Sequence, residues 1–204
     1  MTVSRQIGET RVEAECEEAL KSLAEDVLST FERLAAQSPL RAGMRVRFGW
    51  SMLTLESSPP GGLIVCEPDF ERDALRETRP VVNDSLEIAA KQTAFARAVG
   101  VTPLDVYFDQ YVVLERDALV AHSIRLLRSQ ASSFDDSGWS ISPAEHLEEP
   151  REEDLGAIRL YELLRRRRSI FPALILPTDL IVLVNGDRIA SVLTPGDRDL
   201  LVEL

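Results

Sequence analysis

The stretch Phe134–Ile141 reads Phe-Asp-Asp-Ser-Gly-Trp-Ser-Ile and is the most distinctive segment of the chain. Asp, Ser and Gly in succession are typical of a tight turn, because their side chains bond to nearby amides and glycine permits a bend. The residues predict a turn that leads into a short strand, Gly138–Ser142. Trp139 supplies a large apolar group with one N–H donor, which favours a place in the core. The alternative is an exposed Trp139 beside carboxylates, a composition found in binding hot spots.

Alternation of apolar and polar residues predicts strands on both sides of this stretch. Ile181–Val184 precedes Asn185-Gly186 and Arg188–Leu193, and Asn-Gly tolerates the positive φ that a two-residue hairpin loop requires. Met44–Glu56 has the period of a half-buried strand or of a strand pair bent near Gly49. Two further strands are predicted, at Tyr111–Leu114 and Ser123–Arg128.

Three helices are predicted from apolar residues that recur at three- and four-residue steps. The first covers Arg11–Gln37 and carries most of its acidic residues on the opposite face. The second follows a capping-box pattern, Asp84 with Glu87, and ends at Gly100, which permits the left-handed stop of a helix. The third covers Leu155–Arg168.

The order of these elements predicts the fold class. Strands and helices do not alternate strictly, so the pattern favours an α+β fold with a mostly antiparallel sheet, flanking helices and a long N-terminal helix. Residues 1–10 are predicted to be a flexible terminus. Because no linker rich in proline or glycine divides the remainder, residues 11–204 are predicted to form a single α+β unit.

Composition excludes several classes of protein. The 204 residues include 23 Lys or Arg and 34 Asp or Glu, a formal net charge of −11, and 45% are hydrophobic, as in ordinary globular proteins. The acidic balance argues against nucleic-acid binding, which requires cations for the phosphates, but it permits a basic partner. No apolar run is long enough to span a bilayer, and no signal peptide is recognisable, so the expected location is cytoplasmic, with no membrane partner.

The chain lacks the common signatures of catalysis and of metal or cofactor binding. It contains no phosphate-binding loop, no dinucleotide-binding glycine pattern and no nucleophile elbow. His122, His146, Cys16 and Cys66 do not occur at the spacings of zinc ligands. We therefore predict no metal and no cofactor, and we interpret the two cysteines as free or buried thiols of a reducing compartment.

Two charged runs remain open to interpretation. Ala144–Glu153 is strongly acidic and is interpreted as a solvated loop; the alternatives are cation binding and a surface that attracts a basic protein. Arg165–Arg168 is interpreted as a solvated helix end, with a surface for a partner's carboxylates as the alternative.

The Asp136-Ser137-Gly138-Trp139 motif resembles the signature of immunity-protein family thirty-three of bacterial polymorphic toxin systems. In that family two strands, the second ending in a charged residue, precede an acidic loop, the motif and a short strand. Tyr111–Leu114, Ile124–Arg128 and Ser132–Asp136 occur here in the same order, so the resemblance covers roughly residues 110–195. After the motif the chain departs from the family, because Ser140–Ser142 stands where an aromatic-rich strand is usual.

The resemblance implies a non-enzymatic immunity protein that binds and neutralises a cognate toxin, possibly a basic one. It supplies no catalytic residues. The residues expected to contact such a partner are Asp135, Asp136, Ser137, Trp139 and Trp50.

Two functions of other classes stay open at this point. A small-molecule-binding or enzymatic domain would require a pocket in which Asp135, Asp136, Glu67, Asp69 or His122 converge. A structural or adaptor subunit would use the long N-terminal helix to dock on another protein or on a second copy. The sequence leaves the oligomeric state unknown.

Overall fold

Each half of the chain builds its own β-sheet. The computed structural model describes residues 1–146, 148 and 150–201. It divides into two compact units, Met1–Ala89 (unit 1) and Ala90–Leu204 (unit 2). Each unit holds one six-stranded sheet. The α+β class is thereby confirmed, and both sheets are mixed: each is mostly antiparallel and contains one parallel pair.

Unit 1 packs helix α1, Lys21–Ala35, with its sheet. The strand order is β1-β2-β5-β4-β3, β6 pairs with the end of β5, and only the β2–β5 pair is parallel. The apolar side of α1, which includes Val27 and Phe31, lies in one buried cluster with Val12, Leu53 and Val65 of the sheet. The strands are β1 Thr2–Ile7, β2 Thr10–Glu15, β3 Arg45–Phe48, β4 Ser51–Ser58, β5 Gly62–Pro68 and β6 Thr78–Arg79.

The beginning of the chain differs from both predictions made for it. Residues 2–7 form β1, not a flexible terminus, and the Met1 ammonium donates a hydrogen bond to the Cys16 carbonyl at 2.7 Å. The predicted helix Arg11–Gln37 is wrong in its first part, because Thr10–Glu15 is strand β2 and the α-helix begins only at Lys21. In this part of the chain every second residue is buried, namely Val12, Ala14 and Cys16, and this is the period of a strand and not of a helix.

The strand pair predicted around Gly49 is confirmed. Strands β3 and β4 are antiparallel neighbours, and Gly49 in the turn between them has a φ of +54°. A Cβ atom at Gly49 would lie 3.0 Å from the Cβ of Ala89, so glycine serves both the turn and the close packing.

Unit 2 has the strand order β10-β7-β9-β8-β11-β12. Among the described residues of unit 2, only the β7–β9 pair is parallel; β9 lies between β7 and β8 and pairs antiparallel with β8. Two 3-10 helices lie at Glu152–Asp154 and Arg168–Ile175, and a third in unit 1 at Glu18–Leu20. The strands and the short helix are β7 Tyr111–Glu115, β8 Ser123–Arg128, β9 Asp136–Pro143, β10 Leu155–Arg159, α3 Leu160–Leu163, β11 Ile181–Asn185 and β12 Arg188–Leu193.

The structure corrects one further helix prediction and confirms two other elements. Leu155–Arg168 is not one helix, because its first residues pair with β7 as strand β10 and only four residues are α-helical. The hairpin at Asn185-Gly186 is confirmed as β11–β12. The second helix is confirmed as α2, Asn83–Val99.

The boundary between the two units falls at Ala89/Ala90, inside α2. The prediction of one unit over residues 11–204 therefore differs from the two units observed. Sequence signs of a domain boundary are linkers rich in proline or glycine. A boundary inside a helix has no such linker, so the composition gave no sign of two units.

We predict that neither cysteine of the folded protein reacts with iodoacetamide. Both thiols are buried, and burial raises the pKa of Cys16 and raises that of Cys66 to about 12. At about pH 8, a thiol with that pKa is ionised to only about one part in ten thousand, and only the thiolate is the nucleophile. Mass spectrometry should find no adduct on native Cys66 within an exposure that labels both thiols in guanidinium. Rapid labelling of native protein would contradict this placement.

Candidate partner-binding site

The Asp-Ser-Gly-Trp motif begins strand β9 with a backbone conformation that only glycine adopts easily. Gly138 has a φ of +74°, and a Cβ atom there would lie 2.2 Å from the carbonyl oxygen of Ser129. At the same point the Ser129 amide donates a 2.9 Å hydrogen bond to the Gly138 carbonyl. The glycine is therefore required by both the φ angle and the approach of the neighbouring chain.

The two polar residues of the motif bond to the backbone around them. The Asp136 carboxylate accepts hydrogen bonds from the amides of Ser132 at 2.8 Å and Gly138 at 2.7 Å. These bonds hold the pKa of Asp136 below its usual range. The Ser137 hydroxyl donates to the Tyr111 carbonyl at 2.6 Å, so it ties β9 to β7 where their regular pairing is interrupted.

The indole of Trp139 is buried against the 3-10 segment Arg168–Ile175. Its Nε1–H donates to the Leu174 carbonyl at 2.9 Å, which satisfies the one polar atom of the ring. The Arg128 guanidinium lies over the same ring, with Cζ 5.6 Å from the ring centroid, within reach of a cation–π interaction. Arg128 is also the direct cross-strand partner of Trp139.

Arg128 links three segments of unit 2 through their carbonyl oxygens. Its guanidinium donates to the carbonyls of Leu104 and Leu176, both at 2.8 Å, to Asp105 at 2.7 Å and to Ser137 at 3.2 Å. The side chain is 4% exposed, and its burial lowers the pKa to about 10. Carbonyl dipoles take the place of water around this charge.

The amino-acid sequence alone did not predict that Arg128 is buried and bonds to these carbonyls. The available signal was a charged residue at the end of the apolar strand Ile124–Arg128, in a position where it faces the core. Arg167 behaves in the same way: it is buried and donates to the carbonyls of Leu119, Gly186 and Ala121. For Arg167, the interpretation as part of a solvated helix end is therefore wrong.

The structure separates the residues predicted to contact a partner into two groups. Trp139 and Ser137 are 1% exposed, and Trp50 is 2% exposed and stacks on Phe70 in unit 1, with ring centroids 4.8 Å apart. The interpretation of Trp139 as a core residue is confirmed, and the alternative of an exposed indole is wrong. Asp135 is exposed and Asp136 is half-buried, so contact between these carboxylates and a partner stays a prediction.

The acidic residues named for an enzymatic pocket have structural roles. In unit 1, the buried Glu67 carboxylate pairs with Arg79 at 2.8 Å and accepts a 2.7 Å hydrogen bond from the Ser85 amide at the start of α2. Burial raises the pKa of Glu67. The Asp69 carboxylate accepts a 3.1 Å bond from the amide of Glu71.

Within unit 2, His122 and Asp136 do not converge. His122 directly precedes β8, whereas Asp136 begins β9, which runs antiparallel to β8 and starts beside its far end. A six-residue strand therefore separates them by about 15–20 Å. This distance removes the pocket that the enzymatic alternative requires of these two residues.

One face of the unit 2 sheet, called the open face below, is partly exposed among the described residues. Alternate residues of the strands, among them Val112, Leu126, Trp139 and Val182, are buried on the side covered by the Arg168–Ile175 segment. The other side carries a row of one residue from each strand. That row consists of Ala157, Val113, Ser140, Leu127, Ile181 and Leu193.

The open face continues into an acidic cavity at one edge of the sheet. Val113, Leu127 and Leu155 are 37–40% exposed and line a shallow depression of about 210 Å³. Glu115, Glu148 and Pro150 border both this depression and a larger cavity of about 470 Å³. Glu145, His146, Arg151 and Asp154 complete the lining of that cavity. An exposed aliphatic patch next to clustered charge is a composition typical of protein-binding surfaces.

The described residues contain neither a metal-ligand group nor a membrane-spanning helix. Across residues 1–146, 148 and 150–201, no group of three or more His, Cys, Asp or Glu side chains is placed to hold a metal ion. In the same part of the chain, no helix is long and apolar enough to cross a membrane.

Unit 2 is thus an α+β domain with one covered and one open sheet face. The model of the Imm33-like domain family matches residues 91–195, slightly more than half of the chain. The chain belongs to this family, and the resemblance to immunity-protein family thirty-three is confirmed. The match begins inside α2, upstream of the expected residue 110. No curated protein and no solved structure matches the chain.

We predict that Gly138→Ala lowers the free energy of unfolding by about 2–5 kcal/mol, the sum of a strained positive φ and an overpacked Cβ. Urea unfolding measures the change. The matched control is Gly156→Ala in β10, where an added Cβ meets nothing within 4 Å and the expected change is about 1 kcal/mol or less. Equal effects of the two substitutions would contradict the assigned role of Gly138.

We predict that Asp136→Asn lowers the free energy of unfolding by about 1–2 kcal/mol at neutral pH, because the amide offers one acceptor oxygen to donors that now share two. The folded pKa of Asp136 lies below the unfolded value, so its contribution is complete above about pH 4 and disappears as the pH falls through the folded pKa. Urea midpoints at about pH 7 and about pH 2 measure this. A difference between variant and wild type that does not shrink in acid would contradict it.

Proposed function

We propose that this chain is a non-enzymatic immunity protein that binds a cognate bacterial toxin in the cytoplasm and neutralises it. The observation that carries the proposal is the match of residues 91–195 to the Imm33-like domain family. Because toxins of this kind pass between competing bacteria, the immunity protein protects the cell that produces it. Neutralisation by stoichiometric binding requires a complementary surface and no catalytic group.

Charge favours a basic toxin as the partner. The chain has a formal net charge of −11, and an excess of one sign steers a partner of the opposite sign toward the binding surface. A nuclease is one class that fits, because enzymes that bind nucleic acid carry cations for the phosphates. The immunity protein would then cover the toxin's active site or hold it in an inactive fold.

The test is co-purification with a tagged copy of the chain from its native host, grown in contact with competing strains. Mass spectrometry identifies stoichiometric partners, and each is expressed alone and together with the chain. The proposal expects a partner that kills cells when expressed alone and is harmless with the chain. A partner that is not toxic, or a toxin that kills equally in the presence of the chain, would contradict it.

We predict that association with that toxin slows as salt is added. Raising NaCl from about 50 mM to about 500 mM shortens the Debye length severalfold and should lower the association rate constant at least about tenfold. Stopped-flow fluorescence or surface plasmon resonance measures this rate. The dissociation rate constant should change much less, because the buried contacts are screened less. An association rate that does not respond to salt would contradict the role of charge.

A further inference from the structure

Glu115, the last residue of β7, has an unsatisfied carboxylate oxygen at the acidic cavity. Its side chain is 10% exposed, and its Oε1 lies 2.6 Å from Nδ1 of His146. Its Oε2 is buried and has no hydrogen-bond partner among the residues that the structure describes. Buried carboxylate oxygens normally accept hydrogen bonds, so Oε2 of Glu115 is an acceptor whose capacity is unused.

The surroundings of Glu115 are predominantly acidic. Glu145, Glu148 and Asp154 line the same cavity, where Arg151 carries the one guanidinium among the described lining residues; Arg125 lines the adjoining depression and donates to the His146 carbonyl at 3.3 Å. Asp154 is already paired with Arg116 at 3.1 Å. The negative charge of this cavity and the unsatisfied oxygen of the Glu115 carboxylate together favour the binding of a cation that carries N–H donors.

The shape of the site favours a side chain over a metal ion. A metal requires several ligands that converge on one point, and the described part of the chain offers no such group. The cavity of about 470 Å³ has room for an ammonium or guanidinium group with its stem. Next to it, Val113, Leu127 and Leu155 expose aliphatic surface on which apolar neighbours of that cation can pack.

We propose that the open face of the unit 2 sheet, together with the acidic cavity, is the surface that docks the toxin. A lysine or arginine side chain of the toxin enters the cavity, the Glu115 side chain turns so that its Oε2 accepts the N–H, and apolar residues beside the cation cover Val113, Leu127 and Leu155. The inference rests on the proposed function and assigns its binding surface. A basic partner is favoured over a second copy of this chain because two copies would each bring a net charge of −11.

A short peptide tests the cavity without the toxin. The probe is acetyl-Leu-Arg-Leu-amide, titrated into ¹⁵N-labelled full-length chain, and its partner probe carries citrulline, which is uncharged and nearly isosteric, in place of arginine. We expect amide shifts at β7, His146 and Leu127 with the arginine peptide and at least tenfold weaker binding of the citrulline peptide. Equal binding of the two peptides, or shifts elsewhere only, would overturn the proposal.

Two variants localise the charge effect. Glu115→Gln should weaken the arginine peptide at least tenfold, whereas Glu18→Gln, an exposed residue of unit 1 with the same change in net charge, should leave binding unchanged. Where Glu115→Gln loses the dispersed spectrum of a folded chain, Glu148→Gln on the exposed rim replaces it, with severalfold weaker binding expected. Equal affinity in the cavity variant and in Glu18→Gln would overturn the proposal.

The remaining outcomes separate this inference from the proposed function. Wild type that dimerises, with Glu115→Gln monomeric, would assign the face to a second copy and overturn the docking of a toxin there. A captured toxin that wild type and Glu115→Gln neutralise equally well would overturn the docking surface and leave the immunity function standing. Failure to neutralise any partner would overturn the immunity function, while the peptide titration would still report on the cavity.

Discussion

The fold of unit 2 depends on the hydrogen bonds that the buried Arg128 guanidinium donates to backbone carbonyls. The Asp105 carboxylate that acts on the guanidinium charge is exposed, and carbonyl oxygens from the segment after α2, from β9 and from the end of the 3-10 helix accept its hydrogen bonds. Removal of the side chain would leave several carbonyls without donors, and each buried polar group without a partner costs about 1–3 kcal/mol. Trp139 packs beneath this cation, so the Asp-Ser-Gly-Trp motif and Arg128 belong to the same core.

In this arrangement the Asp-Ser-Gly-Trp motif and the proposed docking surface lie on opposite faces of one sheet. The motif that identifies the family lies on the covered side, where Gly138 admits the neighbouring chain, Asp136 closes the turn and Trp139 fills the core. The open side holds aliphatic residues and the cavity with Glu115.

The sequence predicted those features that are encoded locally. The Asn185-Gly186 hairpin, α2 and the turn at Gly49 each follow from a few adjacent residues, and the core position of Trp139 follows from its chemistry. Features set by distant contacts were missed. Neighbour order in a sheet depends on packing, so the parallel pairs β2–β5 and β7–β9 left no local signal. The cavity was missed for the same reason, because Glu115 and His146 meet only through the fold.

The central claim, that the family motif builds the core and the opposite face binds the toxin, is tested most directly by measuring toxin affinity and the urea midpoint on the same variants. Leu127→Arg should weaken the toxin Kd at least about tenfold at an unchanged midpoint. Its control, Leu75→Arg, makes the same change at an exposed leucine of unit 1 and should alter neither. Gly138→Ala should lower the midpoint while the folded protein keeps the wild-type Kd. Loss of affinity in Gly138→Ala, with full affinity in Leu127→Arg, would contradict the account.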